Sequence, residues 1–321
     1  MLHRGFKATW EGLRVNIHDS GYKKLFSNQT IFRQLLETFV NQEWVNQLDF
    51  STCETLDKSF ISQHYQETES DLIYKVQLHN YEVYIYILIE FQSTVEPFMA
   101  LRVLNYITNF YMDYVANHQQ VKKLPAVFPI VLYNGEERWT APINLSDLIE
   151  QTPSLGAFAL DFQYFLIAEN QYSQQALLKI RNIVSTLFLA ESHYDVDVLE
   201  TELLNLFSSE ADKGAVSLFL NWFKQLALHG RIATEDYESL ETIYRNEEEV
   251  RTMLITALEK EKQQIYHSGH LEGKREGKIE TAQAMLAKGM EIGLIAEITQ
   301  LSQEQLLQLK AQLPVNEMLY Q

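Results

Sequence analysis

Cysteine occurs once in 321 residues, at Cys53. A lone thiol excludes an intramolecular disulfide framework and a cysteine-rich zinc site, and it fits a reducing compartment. Long apolar runs are missing too. The most apolar stretch, Val83 to Phe91, is far too short for a transmembrane helix and ends on Glu90. The N-terminus, MLHRGFKATWEGLRVNIHD, has no apolar segment followed by small residues, so no secretory signal is read. Together these absences predict a soluble, cytoplasmic protein with no membrane partner.

Positive charge is scarce: 26 Lys and Arg stand against 43 Asp and Glu, a formal net charge of -17. Proteins that hold nucleic acid by phosphate neutralisation usually carry a basic surface, so the balance argues against tight nonspecific binding of DNA. It says less about a small site that collects metal ions with carboxylates. The phosphate-loop spacing, the dinucleotide-binding glycines and the nucleophile elbow are all absent. What is present describes a folded chain: 46% hydrophobic and 12% aromatic residues, with 17 Tyr and 17 Phe. The length allows one large domain or two modest ones.

Leu25, Phe26, Phe32, Leu35, Leu36 and Phe39 recur at helical spacing, and Ser27 or Asn28 is placed to cap a second helix. No clear period follows through Cys53 and Phe60. Residues 71–78 and 82–89 are rich in strand formers, and His79, Asn80 and Tyr81 between them suggest a hairpin. Pro97 opens an apolar helix that begins at Met99. Strand signals return at 127–133, before the Asn134-Gly135 turn, and at 162–167. Helical patterns then run through 176–190 and 216–228. The order predicts an α/β fold with a central mixed sheet flanked by helices, followed by a helical region and a helical tail. The expected division is a core over 1–170, a helical region over 171–265, and a charged, glycine-containing stalk with a small helical element over 266–321.

The tail allows several readings. Gly269, Gly273 and Gly277 recur every four residues. They suit close helix approach and a homo-oligomer, such as a dimer through the C-terminal helices, or else a flexible charged linker. Gly289 is a stop signal, and Ser302 with Gln305 fits a capping box. The segment from Ile279 to Leu313 has helix-turn-helix character but no basic recognition helix, which favours an oligomerisation or docking element. His267 and His270 share a helix face but lack a third ligand.

The chemistry concentrates around the hairpin. Glu90 and Gln92 share a strand face, and Asp71 opens the preceding strand. A two-residue turn at Asn80-Tyr81 sets Asp71 opposite Glu90. A turn at His79-Asn80 shifts the pairing by two and keeps both carboxylates on one face, whereas a three-residue turn separates them. Facing carboxylates repel unless a cation lies between them, and Mg²⁺ suits oxygen ligands, with other divalent cations as alternatives. Strand-terminal acids also occur simply where strands emerge into solvent. Lys75 shares the Asp71 face by alternation and reads as a phosphate contact or a solvated strand lysine. Arg102 and Tyr106 lie one helical turn apart, supporting a site, touching DNA or forming internal pairs. His18 assists a site or holds a loop.

The stretches HDSGYKKLF (18–26), SDLIYKV (70–76), IEFQS (89–93), MALRVLNY (99–106) and FPIVLYNGEERW (128–139) occur in this order. Together they resemble the recombination-promoting nuclease family, also called YhgA-like transposases, within the PD-(D/E)XK nuclease superfamily. The resemblance spans residues 14 to about 260 and extends to the EGKREGK tail. It implies a PD-(D/E)XK core and Mg²⁺-dependent endonuclease cleavage of DNA, in recombination or mobile-element biology. Asp71 would match the motif aspartate and metal ligand, Glu90 and Gln92 the E-x-K element, and Asp19 the acid of the first helix. Gln92 stands where the superfamily pattern has Lys, which exchanges a charge for hydrogen bonds. The alternative is a non-catalytic interaction protein that keeps a degenerate nuclease fold.

Overall fold

The computed structural model describes residues 21–56, 72–79, 81–90, 95–118, 120–135, 137–150, 160–229 and 242–312. The chain separates into two compact units, Met1–Ala257 and Leu258–Gln321.

The first unit is built on a five-stranded mixed sheet in the order β1 (Leu48–Thr55), β2 (Leu72–Leu78), β3 (Tyr81–Glu90), β4 (Ala126–Tyr133) and β5 (Phe165–Ala168). The first three strands pair antiparallel, and β3, β4 and β5 pair parallel. A parallel pair needs a crossover, and α2 (Met99–Asn117) supplies it between β3 and β4. β1 was not legible as a strand. It is an edge strand with only Leu48 buried, and its pairing slips between Asp49 and Glu54, so its residues carry no steady alternation. β5 begins later than the apolar run suggests, because Gln163 makes only an isolated bridge to Asn144.

Both sheet faces are covered, which explains why β3 reads as a continuous apolar run. On one face Ile73, Tyr84, Tyr86, Val131 and Tyr133 pack with Val103, Ile107 and Phe110 of α2. On the other, α1 (Gln29–Phe39) stacks Phe32 on Tyr74 with ring centroids 3.7 Å apart. Asn28 caps α1 through its side chain, which accepts from the backbone N–H groups of Thr30 and Ile31.

The apolar pattern over 176–190 forms two helices rather than one: α3 (Gln174–Ile180) and α4 (Ile183–Ser192). Arg181 takes φ 56°, and Asn182 and Ser185 close a capping box that restarts the helix. Phe39 and Phe188 pack α4 onto α1, their ring centroids 4.6 Å apart. Helices α5 (Val196–Ser209) and α6 (Lys213–His229) follow, and α7 spans Glu247–Ala287.

Gly269, Gly273 and Gly277 lie inside the 41 residues of α7, which overturns the reading of a flexible linker. Each glycine costs a helix about 1 kcal/mol relative to alanine, but the Glu, Lys, Gln and Arg around them are good helix formers. A Cβ at any of the three would meet nothing within 4 Å, so no described helix of this chain packs closely there. In the second unit, α8 (Ile292–Thr299) and α9 (Gln303–Gln312) pack Ile295 and Leu306 against Ala282 and Leu286. Gly289, at φ 73°, turns the chain after α7. Ser302 and Gln305 bond reciprocally, as a capping box requires.

Candidate functional site at the ends of the parallel strands

The parallel strands β3, β4 and β5 end level with one another. Glu90 pairs with Tyr133, and Tyr133 with Ala168. The residues that follow, Asn134 and Glu169, therefore emerge at the same end of the sheet as Glu90. Strand ends collect functional groups because register fixes where each side chain leaves the core.

Of the residues singled out by sequence, His18, Asp19, Asp71 and Gln92 lie outside the described residues, and Glu90 is placed through its backbone. The hairpin itself is settled. Leu78 pairs with Tyr81, leaving positions 79 and 80 between them, and His79 takes φ 55°. This is the second of the even-numbered pairings, not the three-residue turn; its consequence for Asp71 falls outside the described residues.

Arg102 and Tyr106 converge on the face of α2 that meets the sheet. Arg102 Nε donates to the Tyr106 hydroxyl at 2.7 Å, and the guanidinium carbon lies 5.6 Å from the Tyr106 ring centroid. The Tyr106 ring lies 6.1 Å from that of Tyr86, whose position shares strand parity with Glu90. Because α2 returns from the end of β3 to the start of β4, Arg102 lies one turn nearer to the end of β3 than Tyr106.

Lys75 is placed elsewhere. It pairs across the hairpin with Tyr84, and its Nζ lies 3.0 Å from Glu54 and 3.7 Å from Glu82. Tyr84 precedes Glu90 by six strand residues, about 20 Å at ~3.3 Å per residue. The two carboxylates hold the lysine near the middle of β2, well back from the Glu90 end of β3.

A buried group at the sheet end escaped the sequence reading. Glu169 is 1% exposed and accepts from the Tyr22 hydroxyl, 3.1 Å from Oε1 and 3.2 Å from Oε2. Tyr22 also hydrogen-bonds the Asn134 side chain, so one hydroxyl ties residues 21–26, a short helix, to the ends of β4 and β5. Burial, then the charge of Glu191, pushes the Glu169 carboxyl well above its ordinary range, while the Tyr22 hydrogen bond opposes the shift. Asn170 donates to the carbonyls of Gly135 and Glu137, both at 2.8 Å, and so fixes the turn after β4. The signal available in sequence was an acid closing an apolar run, as Glu169 follows FLIA and Glu90 follows ILI. Among the described residues, no three His, Cys, Asp or Glu gather to hold a metal ion. No described helix is long and apolar enough to cross a membrane.

Residues 16–216 match the family model described as "Putative transposase, YhgA-like", and residues 275–311 match "Rpn/YhgA-like nuclease family, C-terminal HTH domain". The chain is 24% identical over 294 residues to the inactive recombination-promoting nuclease-like protein RpnE of Escherichia coli (strain K12), covering 89% of this chain and 94% of that protein. It is 31% identical over 120 residues to the recombination-promoting nuclease RpnC of the same strain, covering 37% and 39%. Against RpnA of that strain it is 30% identical over 122 residues, covering 37% and 40%. No solved structure matches. The tail comparison corrects the preference for an oligomerisation or docking element: the helix-turn-helix reading is the supported one, and it points to DNA. The sequence had set that reading second because α9 carries one lysine and one glutamate rather than a basic face.

Proposed function

The chain belongs to the YhgA-like putative transposase family, and from that premise we propose that it is a Mg²⁺-dependent DNA endonuclease with its site at the end of β3. The observation that carries the reading is Glu90 closing β3 in register with Tyr133, at the sheet end that also presents Asn134 and Glu169. Relatives matching 37% of the chain are named recombination-promoting nucleases, which supports the reaction class.

In this proposal Asp71 and Glu90 hold the divalent ion. When bound, the ion polarises a phosphoryl oxygen and lowers the pKa of the attacking water. Gln92 orients that water or a phosphate oxygen by hydrogen bonding, since its amide cannot serve as a base. Asp19 supplies a further acid from the N-terminal segment, with His18 beside it. Arg102, held by Tyr106, lends positive charge from α2. The helix-turn-helix segment over 275–311 contributes contact with duplex DNA. Lys75 takes no part, being paired with Glu54 and Glu82.

A second reading, a non-catalytic interaction protein on the same fold, is favoured by one comparison. The relative matching 89% of the chain is named inactive, and Gln92 lacks the charge that a lysine would bring. Supercoiled plasmid incubated with the purified chain and Mg²⁺, Mn²⁺ or Ca²⁺ distinguishes the two. Metal-dependent nicking that disappears in both Asp71→Ala and Glu90→Ala supports the nuclease. Nicking that survives both substitutions rejects the site, and none with any cation or DNA form supports the interaction protein.

A further inference from the structure

The outer face of α2, counted from its N-cap Phe98, carries a pattern that the nuclease reading does not use. Phe98, Leu101, Met112 and Val115 are 56%, 52%, 71% and 50% exposed, and Asn105 and Thr108 between them are exposed as well. The six positions, 98, 101, 105, 108, 112 and 115, are spaced 3, 4, 3, 4, 3. That alternation is the heptad seam by which one helix packs along another. The opposite side of the helix is already occupied, since Met99, Ala100, Val103, Ile107 and Phe110 are buried. The only charged residues of α2, Arg102 and Asp113, are half-buried and lie off the seam. A helix apolar around most of its circumference is expected to be covered on more than one side.

We propose that this seam is a homodimer interface, in which α2 of one copy packs antiparallel on α2 of a second across a twofold axis. The order along the seam is apolar, apolar, polar, polar, apolar, apolar, and it reads the same in both directions. A twofold midway between Asn105 and Thr108 sets Phe98 opposite Val115 of the other copy, Leu101 opposite Met112, and Asn105 opposite Thr108. Apolar side chains then meet apolar ones, and the two polar side chains meet at the centre with groups that can hydrogen-bond. Such self-complementarity is what a twofold contact requires and an unrelated partner does not. Charge selects the same surface: copies carrying a net charge of -17 repel, and a seam without carboxylates lets them approach. The four apolar side chains expose about 400 Å² in all, roughly half of what a standard interface takes from each partner. An interface of that size fits a weak dimer, one that forms in the micromolar range.

Analytical ultracentrifugation of the full chain, from about 1 to 100 μM, tests the proposal alongside Leu101→Lys, Met112→Glu and the double variant. Wild type shifts from monomer to dimer over this range. Each single variant places a charge against an apolar side chain and weakens the dimer at least about tenfold. The double variant sets the introduced lysine of each copy against the introduced glutamate of the other, twice per dimer, and recovers affinity to within about threefold. On one helix these positions are 11 residues apart, about 16 Å, so they cannot pair within a chain. Both sites are exposed, and circular dichroism confirms that the variants fold. A wild type that stays monomeric overturns the proposal. So does a dimer unaffected by the single changes, or a double variant no tighter than either single.

Discussion

Replacing Glu169 with glutamine tests the electrostatics of the sheet end without disturbing its shape. Glu169 is buried beside Glu191, and both effects hold its proton to a pH above the ordinary value of 4.5. In the unfolded chain the carboxyl ionises near that value, so between it and the raised native value folding takes up a proton. The wild type's stability from this group is therefore complete below about pH 4.5 and declines as pH rises through the native value. The slope is at most about 1.4 kcal/mol per pH unit. Glutamine is nearly isosteric, still accepts from Tyr22 through its carbonyl oxygen, and does not titrate. The stability of Glu169→Gln relative to wild type should then be flat below about pH 4.5 and climb above it, by up to that slope. For a unit of this size the gain is about 3–6 °C in Tm per pH unit. Thermal unfolding of both proteins side by side from pH 4 to 8 measures the difference directly and cancels the other titrating groups. Parallel curves throughout, or a variant that loses ground as pH rises, would refute the reasoning. Tyr22→Phe provides the converse: it removes the one hydrogen bond that lowers the Glu169 value, so the pH-dependent loss should extend to higher pH.

Gly135→Ala should destabilise the first unit by about 1–3 kcal/mol in urea unfolding, because the added Cβ would collide with the buried Tyr133 ring. Lys75→Met should change stability by less than about 1 kcal/mol and leave plasmid nicking unaltered, since the lysine is partly exposed and its partner across the hairpin, Tyr84, lies about 20 Å along β3 from Glu90. Gln92→Lys should raise the nicking rate at least about tenfold by placing a positive charge beside the reacting oxygen; an unchanged rate argues against Gln92 adjoining that atom. Asn28→Ala should cost about 1 kcal/mol through loss of the α1 cap, read as a lower urea midpoint.

The fold was legible where burial imposes a period. The stripe Phe32, Leu35, Leu36 and Phe39 marked α1, and the strand formers over residues 82–89 marked β3. Gly289 and the Ser302–Gln305 pair announced their boundaries because caps act through neighbouring residues, and of the two candidate caps Ser27 and Asn28 the structure uses Asn28. β1 left no such trace, since an edge strand buries little and draws its stability from pairing with β2. The break between α3 and α4 was hidden inside an apolar pattern, because it depends on one left-handed residue, Arg181.

By itself the sequence determined the α/β class, the hairpin, the acids that bracket it and the resemblance to a nuclease family, because these rest on local patterns of residue type. Only the tertiary structure decided that the hairpin pairs Leu78 with Tyr81, that Lys75 is bound to Glu54 and Glu82, and that Tyr22 and Glu169, 147 residues apart, meet in the core. The physical reason is the same for each: a register, an ion pair between strands and a buried hydrogen bond are set by which segments of the chain are brought together. No local period encodes that choice.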